Sequence, residues 1–166
     1  MIKKNLIKTI FLFCMLIMVS ACGSSANSNP VSAVQEQNFS GTDQEGETEK
    51  MLSMKIGNTS VSVDWENNNS VNALKELCKN KPLTITLHMY GVFEQVGSIG
   101  SSLPNNDKQM TTASGDIVLY SSNQIVIFYG SNSWSYTKLG RIMNKTDDEL
   151  SELVGKGNVT ITLSLD

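Results

Sequence analysis

Within YGSNSWSYTKLG, Tyr129 to Gly140, three aromatic residues stand among Gly, Ser and Asn between two apolar segments. Trp134 and Tyr136 are two apart, so an extended backbone points both rings to one side. Each ring joins apolar area to one hydrogen-bonding tip, which suits a cleft that must hold a ligand and orient it. The same rings would equally well seal the end of a barrel. Tyr129 closes the preceding apolar run and reads as part of a strand. Arg141, the sole arginine of the chain, follows five residues after Tyr136. Its fixed charge can meet a ligand carboxylate or carbonyl, or pair with Asp116.

A second stretch with chemical potential is YGVFEQ, which brings Tyr90, Phe93 and Glu94 together at the end of an alternating segment. A lone acid with no partner carboxylate is a weak basis for acid–base catalysis. His88, the only histidine, lies on the Thr84-Thr86-His88 face of that segment, where most side chains are simply solvated. If the face lines a cleft, His88 can donate to a ligand. A single histidine without CxxC or HExxH gives no basis for a zinc or iron site, and no metal or cofactor is expected. Gly155-Lys156-Gly157-Asn158 lacks the spacing of a phosphate loop, and no GxSxG occurs.

The elements that must place these residues read clearly from Met51 onward. SMKIGNTSVSVDW gives two short strands about a Gly57-Asn58 turn. Asn69 or Ser70 can cap a helix that carries Val71, Leu74, Leu77 and Cys78 on one face, and Lys81-Pro82 stops it. Leu83, Ile85, Leu87 and Met89 alternate with polar residues as a half-buried strand. Two strands follow in GDIVLYSSNQIVIFYG, joined by Ser121-Ser122-Asn123, and Leu139 to Met143 makes a short one. Leu103-Pro104 closes a loop nearby. Thr146 to Glu149 is a capping box whose helix ends at Gly155. Val159 to Leu165 alternates to a final strand. Seven or eight strands and two short helices predict a mainly β, closed barrel with helical caps.

The N-terminus carries an address. Lys3, Lys4 and Lys8 precede an apolar run from Ile10 to Val19, which is the pattern of a secretory signal. The run is too short to span a bilayer, which needs about 20 apolar residues. It ends in Val19-Ser20-Ala21-Cys22, which resembles the lipobox of bacterial lipoproteins. The resemblance implies cleavage after residue 21 and lipidation of Cys22, and two or more acyl chains anchor stably. Residues 22–50 then read as the lipidated cysteine and a disordered tether, rich in Ser, Asn, Gln and Glu. As a flexible coil this tether reaches roughly 30 Å. Residues 51–166 form one globular domain. Without Lys3, Lys4 and Lys8, ten basic residues face sixteen acidic ones, a net −6. Nothing in that balance seeks nucleic acid. Cys14 leaves with the signal and Cys22 is lipidated, so Cys78 has no disulfide partner and reads as a buried apolar helix residue. The protein is expected on the outer face of the cytoplasmic membrane.

MKIGNTSVSVDW, VNALKELCKN with KPLTITL, FEQVGSIGSSLP, SGDIVLY, QIVIFYGSNSWSYTKLGRI and the last strand together resemble the bacterial cyclophilin-like domain proteins. The resemblance covers nearly all of residues 54–165, and SGDIVLY before IVIFYG and SYTKLGRI is its most specific part. It implies a closed cyclophilin-like β-barrel with a surface cleft, and it places Glu94 near that groove. Cyclophilins proper isomerise X-Pro bonds with the help of an arginine. Here LTITLHMY, Leu83 to Tyr90, lacks that residue, so no catalytic residue carries over. The favoured reading is a membrane-anchored extracytoplasmic binding module for a peptide or small ligand. Its cleft is expected from Tyr90, Phe93, Glu94, Trp134, Tyr136 and Arg141. The alternatives are a peptidyl-prolyl isomerase and a module that pairs partners on a sheet edge.

Overall fold

The structure, a computed structural model, describes residues 50–166; the signal run, the lipobox and all but the last residue of the tether lie outside them. Ten strands and two helices follow in the order β1 (Leu52–Ile56), β2 (Thr59–Val61), β3 (Val63–Trp65), α1 (Asn69–Cys78), β4 (Leu83–Tyr90), β5 (Glu94–Ser98), β6 (Lys108–Thr111), β7 (Asp116–Tyr120), β8 (Gln124–Phe128), β9 (Ser133–Ile142), α2 (Asp147–Val154) and β10 (Val159–Leu165). The strands run antiparallel in the order β2-β1-β10-β4-β5-β8-β7-β9-β3, and β6 pairs with β9. From β3 at one end of this path, the Trp65 Nε1 donates to the carbonyl of Leu52 on β1, next to the other end, at 2.7 Å. The sheet is therefore a nearly closed antiparallel barrel, mainly β, with two helices.

Alternation sorts the side chains. Leu52, Met54 and Ile56 of β1, Ile85 and Leu87 of β4, and Ile161 and Leu163 of β10 all enter one main core. The partners of these residues in sequence face water, as a period of two requires. Helix α1 contributes Val71, Leu74 and Cys78 to that core, and α2 contributes Leu150 and Val154. Burial holds the Cys78 thiol above its ordinary range, which agrees with an inert packing role. Thr146 and Glu149 form the expected reciprocal capping box on α2. The cap of α1 is Asn68 rather than Asn69 or Ser70; its side chain accepts from the Val71 N–H at 3.0 Å. Among three consecutive asparagines, sequence alone does not choose which one turns.

The strand count exceeds the expected seven or eight. β5 and β6 carry Glu, Gln, Gly, Ser, Lys and Thr, so neither shows the apolar alternation that marks a strand. The short strand expected at Leu139 to Met143 is the rear half of a ten-residue β9, whose front half contains Trp134 and Tyr136. Close approach explains Gly97 in β5: a Cβ there would lie 2.6 Å from the Thr86 carbonyl oxygen and 2.5 Å from a Leu87 methyl. Gly97 stands where β5 leaves β4, whose earlier residues pair instead with β10.

Gln95 ties β5 to the end of α2. Its buried amide donates to the carbonyls of Val154 at 2.6 Å and Gly157 at 2.7 Å. Helix C-terminal carbonyls lack partners of their own, so the side chain replaces water there. Replacement by leucine strands both oxygens. Gln95→Leu is expected to lower unfolding free energy by about 2–6 kcal/mol, from two acceptors at roughly 1–3 each, measured by urea titration with an unchanged m-value.

Candidate functional site

Strands β7 and β8 are buried on both faces. Ile117, Leu119, Ile125 and Ile127 point into the main core, while Val118, Val126 and Phe128 point the other way. These outward residues form a second, smaller cluster with Tyr136, and Phe93, Val96 and Met110 pack against it. The front half of β9 and its partner β6 supply this cover, with Met110 opposite Trp134 and Lys108 opposite Tyr136. Where the cover stops, a cavity of about 360 Å³ remains on the outward face.

Val96 and Val126, cross-strand partners, line the middle of this cavity. Glu94 and Tyr90, also register partners, line it at the start of β5. Gln124 and Tyr120, partners at the β7–β8 turn, line it four residues further along β8 from Phe128, the partner of Glu94. Four residues of strand span roughly 13 Å. Tyr136, Trp134 and Asn132 form the remaining wall. Trp134 is 58% exposed and Tyr90 68%, so both rings stand at the mouth, whereas Tyr136 is only 5% exposed.

The wall is held in place. Tyr136 meets Phe128 edge to face at 5.6 Å and Tyr120 at 6.0 Å between ring centroids. The Asn132 Nδ2 donates to the Tyr136 hydroxyl at 2.9 Å, and its Oδ1 accepts from the Ser133 N–H. Backbone and hydroxyl bonds between Thr112 and Asn132 fix the loop behind them. These contacts fix Tyr136 and Asn132.

Glu94 is the exception among these satisfied groups. It is 7% exposed, between the register partners Tyr90 and Phe128. No hydrogen bond or ion pair reaches its carboxylate among the described residues. Burial alone raises its pKa above the ordinary carboxylate range. The tyrosines respond to its charge: burial first, then Glu94, raises the Tyr129 and Tyr136 hydroxyls.

Of the residues expected in a cleft, Tyr90, Glu94, Trp134 and Tyr136 line one cavity. Phe93 lies behind it, packed on the second cluster, and its carbonyl accepts from the Tyr129 and Gly130 N–H groups. Arg141 is not brought to the cavity. Its Nη1 donates to the buried Asp116 at 3.0 Å, across the register pair that joins β7 to β9. The lining residues Val96, Tyr120, Gln124, Val126 and Asn132 had no signal of their own. The period of two along IVIF and DIVLY is the signal that could have found the strand residues, since it leaves alternate side chains facing outward. His88 is exposed, and its partner Val96 lines the cavity.

A nearly closed antiparallel barrel with an aromatic cavity on its outer sheet face defines a class of small binding and isomerase-like domains. The chain belongs to the cyclophilin-like family, whose profile matches residues 54–164. No curated protein gives a significant match to the sequence. Among solved structures, one described as McbB in complex with tryptophan superposes with a TM-score of 0.48 at 10% identity, over 69% of this chain and 44% of that one. The chain thus spans less than half the length of that protein.

An acid with a raised folded-state pKa binds more protons folded than unfolded between its two pKa values, so stability falls as pH rises through that window. Glu94→Gln removes that decline. The variant is expected to match the wild type near pH 4 and to be the more stable of the two at pH 7–8. Paired thermal melts across that range check this, and a variant less stable at pH 8 would contradict the isolated state of the carboxylate.

Proposed function

We propose that this protein is a membrane-anchored extracytoplasmic binding module, and that its outer-face cavity receives a peptide segment or small ligand. The observation that carries this reading is the cavity itself. It combines an apolar floor, exposed rings at its mouth and a carboxylate that no group of the described residues partners. Ligand sites are concave, mostly apolar, and carry a few placed polar groups. Tyr90, Glu94, Trp134 and Tyr136 hold the ligand, with Phe93 packed behind them. The isomerase reading lacks a cation to polarise the X-Pro bond, since no lysine or arginine lines the cavity and Arg141 is engaged by Asp116. The proposed anchor is the lipid on Cys22.

Two experiments test these parts separately. In a Trp65→Phe background the emission reports Trp134 alone; Ala-Pro peptides are expected to shift it to the blue, while cis–trans exchange in NMR spectra keeps its uncatalysed time of about tens of seconds or longer. Accelerated exchange would establish an isomerase instead. No shift and no acceleration would remove X-Pro peptides as ligands. For the anchor, Cys22→Ala is expected to move the protein from the membrane to the soluble fraction, and retention in the membrane would exclude lipidation as the attachment.

A further inference from the structure

The cavity contains one charged group, and the fold treats that group unlike its other buried acid. Asp116, 4% exposed, is served twice, by the Arg141 guanidinium at 3.0 Å and the Ala113 N–H at 2.8 Å. Glu94, 7% exposed, receives nothing from the described residues. A buried carboxylate that serves structure is paired, as Asp116 is. The Glu94 oxygens are not among the fully buried atoms without a partner, so they open toward the cavity, where a donor from outside can replace water.

The surroundings select the kind of donor. Tyr90 is the direct register partner of Glu94, which places their Cβ atoms about 5 Å apart. Tyr136 and Trp134 share the same wall. Ring faces attract cations, most strongly where water is excluded. Asn132 is already engaged once at each end of its amide, by Tyr136 and by the Ser133 N–H. Beyond the acid, Val96 and Val126 give an apolar floor.

Resting on the binding-module reading, we propose that the cavity selects a ligand bearing a protonated amine on an apolar body. The ammonium donates to the Glu94 carboxylate against the rings of Tyr90, Trp134 and Tyr136, and the body lies on Val96 and Val126. A free small amine and a lysyl side chain share this chemistry.

The test titrates the full-length chain in a non-ionic detergent, with Trp65→Phe so that Trp134 alone reports. Phenethylamine is compared with 2-phenylethanol, which has the same ring and ethyl stem without the charge. A charge-assisted hydrogen bond predicts at least about tenfold tighter binding of the amine. Glu94→Gln is expected to bring the two affinities within about threefold of each other, the alcohol being unaffected. Should that variant fold poorly, the amine-to-alcohol comparison on the unaltered cavity decides alone. A blocked Gly-Lys-Gly peptide binding more tightly than phenethylamine identifies a lysyl side chain as the source, and the reverse a free amine.

Equal affinities for amine and alcohol would overturn the amine assignment while leaving a ligand cavity in place. An amine preference that survives Glu94→Gln would overturn the role of Glu94. Binding of neither probe overturns the assignment as well; a Trp134 response to Ala-Pro peptides then keeps the module reading, and silence there removes both.

Discussion

Strands β7 and β8 carry apolar residues on both faces, and a barrel has only one interior. Ile117, Leu119, Ile125 and Ile127 fill it, which leaves Val118, Val126 and Phe128 facing outward with nothing in the barrel to cover them. The cost of leaving them wet, at roughly 25 cal/mol for each Å² of apolar surface, is removed by folding the front of β9 and the short β6 over them. Tyr136 and Met110 come from that cover, and Phe93 closes the side. The cavity exists because this cover is incomplete. Its floor, its walls and the burial of Glu94 all follow from the same second cluster.

The buried polar residues then fall into two kinds by what they connect. Gln95, Asp116 and Thr137 connect elements. Gln95 holds the end of α2, Asp116 joins β7 to Arg141 of β9, and Thr137 accepts from the Asn106 N–H and donates to Asp107. Each stabilises by giving a stranded group its partner. Glu94 connects nothing within the described residues. Adjacent in sequence, Gln95 and Glu94 point to opposite faces of one strand, one into the main core and the other into the cavity. A strand with a period of two can serve both purposes at once.

Family membership establishes the barrel, while chemistry within the family has to be argued from the site. The usual cyclophilin solution places a cation beside the ligand's peptide bond. Here the cavity presents an anion among rings, and the single arginine is spent on the β7–β9 junction. That inversion of charge is the main physical reason for reading a binding cavity with its own ligand preference.

Much of the fold was legible because it depends on period. Alternation along β4 and β10, the capping box at Thr146 and the stop at Pro82 are local signals, set by backbone geometry within a few residues. Trp134 and Tyr136 were legible as a pair for the same reason. Strands β5 and β6 were not, since their pairing is imposed by neighbours rather than by their own polar sequences. Nor did the sequence decide between Arg141 as a ligand contact and as the partner of Asp116, because only the β7–β9 register brings those two residues opposite each other. By itself, then, the sequence determined the elements, the barrel class and a short set of aromatic and acidic candidates. Tertiary structure alone decided which of them meet: burial and pairing are properties of residues far apart in the chain, and Glu94 is isolated only by what β4, β8 and β9 place around it.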